Sequence, residues 1–279
     1  FQAGEKRPHP GRDEKVVTSW NGLMLAAFAE AGRALERQDY RETAIKNAEF
    51  LLAELRTPQG RLLHTWKDDQ AKVDGYLEDY AYLIEGLIEL YQTTFEPRWY
   101  TAAKDFAEMI LNHFNDPEDG FFETSDDHEE LIVRPKNLQD NAVPSSNAMA
   151  AYTLLRLSGL ALEPHYLEQA QQSLATMQAL MAKFPQMFGQ WLQALDYALG
   201  SHREIAIIGD PQAEDTAAML AASREGFRPH QIIALASPHT DERIVPLLQD
   251  RDQINQRATA YICENFTCQA PITNPEMLA

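Results

Sequence analysis

Three stretches of the chain combine carboxylates, amides and aromatic rings in a way that could act on a sugar. Trp20-Asn21-Gly22, Gly75-Tyr76-Leu77-Glu78-Asp79-Tyr80, and Asp140-Asn141 leading to Ser145-Ser146-Asn147 each open an apolar run. Glycoside chemistry needs one carboxyl raised in pKa to protonate a leaving oxygen, and a second, ionised one to activate water or attack carbon. Glu78 and Asp79 point about 100° apart on a helix, so at most one aims squarely into a shared cavity. Asp140, on a neighbouring hairpin, would complete an acid/base pair across the mouth. Trp20, Asn21, Trp66, Tyr76, Tyr80, Asn141 and Asn147 are the candidate sugar contacts. Each group has an ordinary alternative. Glu78 and Asp79 are also first-turn acids that complement a helix dipole, and Asp140 is also a loop acid for Arg134 or Lys136. The asparagines could fasten loops, and Trp66 and Tyr76 could pack a hairpin against the helices. Thr18, Ser19, Ser145 and Ser146 precede apolar helices and read as N-caps; no G-x-S-x-G elbow surrounds them.

The eight histidines show no H-x-x-x-H or H-E-x-x-H spacing, so no metal site is expected, and no cofactor motif stands out. His64 and His128 fall in long loops and are the only two considered as proton shuttles of the kind an epimerase requires; surface histidine is the simpler reading. Cys263 and Cys268 form a C-x4-C, a separation that can permit a disulfide but is neither a complete metal site nor the C-x-x-C redox motif, and free or structural thiols are expected. The AIIGDP stretch before a helix has one glycine where a dinucleotide fingerprint needs three, and is set aside.

The elements that must position these residues alternate between two kinds of helix. Residues 20–35, 77–91 and 147–158 are apolar nearly all round, as enclosed helices are, with 187–199 as a fourth candidate. Residues 40–55, 97–111 and 164–181 carry one apolar stripe and a wet face. Inner and outer helices taking turns imply antiparallel αα-hairpins around a common centre. The irregular spacing of the inner helices favours a toroid over a solenoid. The long links, 57–76 and 112–146, then share one mouth with the inner-helix starts, and long loops in compact domains tend to be functional. The first link reads as a β-hairpin, the second as short strands and turns. After Gly200 the pattern changes to strand, helix, strand and strand, so residues 1–200 are read as a mainly α toroid and 201–279 as a small α/β appendage.

With 42 Asp plus Glu against 24 Lys plus Arg, the net charge of -18 would repel nucleic acid and anionic membrane surfaces. No apolar run approaches the ~20 residues of a bilayer span. Two cysteines in 279 residues suit a reducing compartment, and a cytoplasmic location is expected. The chain starts at Phe1, so it is read as the back part of a longer protein.

GRDEKVVTSWNGLMLAAFAEAGR, GYLEDYAYLIEGLIELYQTTF, DGFFET, RPKNLQDNAVPSSNAMAAYTLLRL and YICENFTCQAPIT together resemble the C-terminal part of the thioredoxin-domain-containing proteins that include the spermatogenesis-associated protein family. The resemblance implies an upstream thioredoxin-like domain. It further implies an (α/α)6 toroid similar to six-hairpin glycosidases and N-acylglucosamine 2-epimerases, of which this chain holds a part. It supports Trp20, Asn21, Glu78, Asp79, Asp140 and Asn147 as motif positions without assigning them steps. Where P-S-G-N is expected the chain reads Pro144-Ser145-Ser146-Asn147. The expectation is a carbohydrate-acting domain of hydrolase or epimerase type, with a small carbohydrate ligand and with Asp79 or Glu78 and Asp140 as the acid/base pair. The alternative is a non-catalytic sugar- or peptide-binding toroid whose Cys263 and Cys268 exchange with the thiols of the redox domain.

Overall fold

A computed structural model describes residue 7 and residues 11–129, 131–239, 243–264 and 267–278. Its helical part is a succession of antiparallel hairpins: α1 (Thr18–Ala34) with α2 (Gln38–Glu54), α3 (Leu77–Thr94) with α4 (Pro97–His113), and α5 (Ser146–Ala161) with α6 (Pro164–Lys183), followed by α7 (Gly189–Leu199). The enclosed helices are the ones the sequence marks. Every residue of α5 is buried, and so is nearly all of α3 from Leu77 to Gln92. By contrast α2 buries only Ala44, Ala48 and Leu51, and α4 buries a stripe through Trp99, Ala103, Phe106 and Ile110. Burying each large apolar side chain of such a stripe contributes roughly 1.5–3 kcal/mol.

α1 and α3 approach closely because glycines face each other. A Cβ on Gly22 would lie 2.6 Å from the Tyr82 carbonyl carbon, and one on Gly86 would lie 2.8 Å from the Gly22 carbonyl oxygen. α1 departs from the expectation of a fully enclosed helix. Trp20 is 65% and Met24 54% exposed, since nothing among the described residues packs on that side.

The first long link is a β-hairpin, β2 (Leu63–Lys67) with β3 (Gln70–Asp74), extended by β1 (Val16–Val17). The second link, expected to hold short strands, contains one isolated bridge among its described residues, Asn115 with Phe121. Past α7 come β4 (Arg203–Ile208), α8 (Glu214–Ser223), β5 (Gln231–Ala236), β6 (Thr259–Glu264) and β7 (Thr267–Cys268). They form a sheet of order β5-β4-β6-β7 in which β4 and β5 are parallel and the other pairs antiparallel. One face of this sheet joins the helical core through Ala206, Ile208, Ile232 and Cys263; the other packs Ile205, Ile207 and Ile233 against Met219 of α8. No helix among the described residues is long and apolar enough to cross a membrane.

Candidate functional site

The acids at the start of α3 divide as helix geometry requires. Asp79 turns inward and is fully buried. Its Oδ1 accepts the Ser19 N–H at 2.9 Å, its Oδ2 accepts the Tyr76 N–H at 2.9 Å, and His64 Nδ1 stands 2.9 Å from Oδ2. Burial pushes the Asp79 carboxyl up, against His64 and the two N–H donors, while the hydrogen bond to Asp79 raises His64. One proton between Nδ1 and Oδ2 accounts for the 2.9 Å contact. With Nδ1–H donating to Asp79, the Nε2 of His64 is the basic nitrogen, and no described residue bonds it.

Glu78 takes the other direction, half-buried at the mouth, and its Oε1 accepts the Ser19 hydroxyl at 3.1 Å. Burial and then the neighbouring Asp79 raise it. Glu123 is the residue that sequence reasoning passed over. Its carbonyl accepts the Leu77 N–H at 2.9 Å, which pins its loop to the start of α3, and its Oε1 accepts the Ser146 hydroxyl from the start of α5. Burial, with Glu78 close by, pushes the Glu123 carboxyl up to about 7. No cation among the described residues pairs with Glu78 or Glu123. Tyr76 forms the aromatic wall, edge-on to His64 at 5.0 Å and tilted against His128 at 6.1 Å. His64, Glu78 and Asp79 also bring ligand atoms within 4.8 Å of one another, the set that would hold a cation. With the Asp79 oxygens bonded to two N–H groups and His64, a shared proton accounts for the same contacts.

The other expected site residues carry structural contacts of their own. Burial raises the Tyr82 hydroxyl, and Asp140 lies close enough to add to that rise together with Glu78, Glu123 and Asp79. Asp140 Oδ1 accepts the Ser145 N–H at 2.7 Å and its Oδ2 the Gln190 N–H at 2.8 Å, so it ties the starts of α5 and α7 together. It does not meet Arg134, which donates to the Thr124 carbonyl, or Lys136, which pairs with Asp116 at 2.6 Å. Tyr80 is in the core, against Phe106 and Phe114, where its hydroxyl accepts the Leu62 N–H at 2.9 Å. Asn147 is buried and clamps both the N–H and the carbonyl of Phe121. Asn21 donates to the Val17 carbonyl and accepts from Asn47, fastening the entry to α1. Trp66 packs edge-on to Phe50 at 5.3 Å, holding the hairpin on the helices. Trp20 projects into solvent, and Asn141 is an exposed loop residue.

Of the four expected caps, Ser145 accepts the Ala148 N–H at 3.2 Å, as predicted. Thr18 instead donates to the Leu63 carbonyl at 2.6 Å, and Ser19 and Ser146 reach the site acids, because both helices begin earlier than their hydroxyls can cap. Cys263 and Cys268 are not free thiols. They are directly paired across β6 and β7 and form a disulfide, with Arg251 Nη2 donating to the two sulfurs at 3.3 and 3.1 Å.

No protein-family model matches the chain. It is 32% identical over 289 aligned positions to spermatogenesis-associated protein 20 of Rattus norvegicus and 31% identical to that of Homo sapiens, covering 99% of this chain and 37% of each relative. Cellobiose 2-epimerase from Bacillus thermoamylovorans superposes with a TM-score of 0.50 at 15% identity, over 60% of this chain and 45% of that one. A GH76 alpha-mannanase of Bacteroides thetaiotaomicron superposes at 0.49 and 17% identity, over 61% and 47%. The alternation of enclosed and one-faced helices is thus that of an α/α toroid, and the chain is a homologue of spermatogenesis-associated protein 20 that spans 37% of the length of these relatives.

Proposed function

We propose that the mouth of the toroid carries out acid/base chemistry on a small carbohydrate, with His64, Glu78 and Glu123 as the proton-handling groups and Asp79 as the residue that orients His64. One observation carries this reading. Two carboxyls without a cationic partner among the described residues and one Asp-oriented imidazole meet where two inner helices start, beside the ring of Tyr76. A carboxyl held to about 7 is half protonated at neutral pH, the state in which a general acid or base works best. Epimerisation beside a carbonyl needs one group to remove the C–H proton and another to return it on the opposite face; hydrolysis needs a proton for the leaving oxygen and a carboxylate for water. The cluster supplies the groups for either, and the fold shared with a cellobiose 2-epimerase favours the first.

Incubation with cellobiose in D2O, followed by proton NMR, tests the reading. Epimerisation gives a mannosyl product with deuterium at C2, and hydrolysis gives free glucose. The expected result is turnover that Glu123→Gln and His64→Asn each reduce at least about a hundredfold. Neither turnover nor binding across a panel of disaccharides would refute it.

The Cys263–Cys268 disulfide favours a second reading, a binding toroid that exchanges disulfides with a thioredoxin-like domain. Cys268 is exposed and Cys263 buried beside Arg251. A dithiol partner's thiolate would attack Cys268 and release Cys263 as a thiolate next to that guanidinium. The partner's second thiolate would then attack the mixed disulfide, leaving the partner oxidised and both cysteines reduced. Trapping a mixed disulfide between Cys268 of the native chain and a dithiol partner whose second cysteine is replaced by serine, with no sugar turnover by the native chain, is the outcome this reading requires.

A further inference from the structure

At the far end of α3, about 22 Å along the helix from Glu78, a cavity of about 480 Å3 opens between the helices and the sheet. One wall is the end of α3, with Thr93 and Phe95; the facing wall is the carboxyl end of β5 and the Pro211–Gln212 turn that follows β4. The carboxyl ends of adjacent parallel strands are where α/β sheets present ligands. Arg41 from α2, Arg224 at the end of α8, and Arg243 after β5 line the cavity. A smaller recess beside it shares Arg41 and Arg224 and adds Arg33 and Arg37, which are engaged with Glu89 and Asp39. A cluster of arginines is unexpected in a chain of net charge -18.

Arg41 and Arg224 form no ion pair among the described residues. Arg224 donates to the Gln92 carbonyl at 2.7 Å, while its buried Nε has no partner among the described residues. Arg243 is engaged instead: it donates to the carbonyls of Leu248 and Arg251, and its Nη2 lies 3.6 Å from Asp252 Oδ1. Burial first, and then Arg33 and Arg41 nearby, pull Arg224 down to about 10. Unpaired guanidinium donors in a partly closed space call for an anion with several oxygens, which a planar fork binds in bidentate fashion. Phe95, Leu220, Leu235, Ile244 and Val245 give the cavity an apolar wall, beside the polar Thr93, Gln212 and Ser237.

We infer that this cavity binds a small phosphate monoester, its phosphoryl oxygens held by Arg41 and Arg224 and its organic group by the apolar wall. A carboxylate would neutralise only one of the two cations; a phosphoryl dianion matches both charges and more of the donors. The site does not depend on the sugar reading of the mouth, and its ligand need not be a sugar.

Calorimetry on the full chain, with phenyl phosphate, inorganic phosphate, phenylacetate and phenol as probes, is the test. Phenyl phosphate is expected to bind one to one with Kd below about 1 mM, at least about tenfold tighter than phosphate or phenylacetate, and phenol not to bind. Arg224→Gln should weaken phenyl phosphate about 10- to 100-fold. Arg41→Gln, at a partly exposed position, should weaken it about tenfold without threatening the fold. Absence of phenyl phosphate binding at 10-fold that Kd, equal affinity for phenylacetate, or affinity unchanged in Arg41→Gln and a folded Arg224→Gln would each overturn the inference.

Discussion

Replacing Glu123 by glutamine isolates the ionisation that matters most at the mouth. The folded chain holds this carboxyl to about 7 against an ordinary value of 4.5, a difference of roughly 2.5 pH units, first because it is buried and then because Glu78 is near. The folded state therefore binds the proton more tightly than the unfolded state. The resulting stability is fully present below about pH 4.5 and lost as pH rises through about 7. At 1.36 kcal/mol per unit the ceiling is about 3 kcal/mol, and solvent at the mouth brings the expected effect to about 1–3 kcal/mol. In Glu123→Gln the amide oxygen can still accept the Ser146 hydroxyl, so the fold is kept while the titration is gone. Urea unfolding at pH 4.5, 6 and 7.5 should show the native chain losing that amount more than the variant. The general rise in carboxylate repulsion with pH is common to both and cancels. Parallel stability profiles would refute the placement of a proton on Glu123 and, with it, the acid proposed for the site.

Asp140→Ala removes the acceptor for two helix-start N–H groups and should cost about 1–4 kcal/mol, twice a single cap, with sugar affinity of the folded fraction retained; a loss of affinity at unchanged melting temperature would contradict the clamp role. Gly22→Val drives a side chain into the Tyr82 backbone and should destabilise by at least about 3 kcal/mol, seen as a lower urea midpoint, whereas a midpoint within experimental error would mean that α1 and α3 do not touch as described. Trp20 and Met24 leave an apolar strip on α1, so the chain should self-associate at micromolar concentration and Trp20→Lys with Met24→Lys should reduce the sedimentation coefficient toward that of a monomer; a native chain that is monomeric at 100-fold higher concentration would count against it.

Periodicity made the helices and their two classes legible, because burial on all sides or one side leaves its record in composition at helical spacing. The site was legible only where local rules suffice. That Glu78 and Asp79 must diverge follows from one helix, and they do diverge. Glu123 lies in an irregular loop with no period, and its role depends on the Leu77 N–H and the Ser146 hydroxyl, both distant in sequence. Its one sequence signal was its place in GFFET, among the segments that carry the family resemblance. The clamp made by Asp140 was hidden for the same reason: the Gln190 amide it accepts from is 50 residues away. Ser19 has the composition of a cap, but the helix starts at Thr18, so its hydroxyl is free to cross to Glu78. The cysteine pairing depends on β7, a two-residue strand too short to show any pattern.

The inner face of α3 explains why proton-handling groups collect at one end of the ring. Glu78, Tyr82, Glu85 and Glu89 follow at spacings of 4, 3 and 4, one stripe along the helix. Deep in the molecule the stripe is neutralised. Arg156 of α5 reaches Glu85 at 2.6 Å and also pairs with Glu89, which Arg33 of α1 meets at 2.6 Å. Against the burial that opposes it, Arg156 and Arg33 hold Glu89 below the usual carboxylate range. Breaking such a buried pair by deleting one partner typically costs 3–5 kcal/mol, so these arginines fix the three inner helices in register. At Glu85, which has Arg156 alone, burial outweighs the ion pair and the carboxyl is raised; toward the mouth no described cation continues the pattern, and burial pushes Glu78 and Glu123 up as well. Placing a cation there, by Tyr82→Arg, should lower both carboxyls, shift any activity limb near pH 7 downward and leave the Arg156 network in place. An unchanged limb would mean that the protons followed in the assay are not on these two carboxyls.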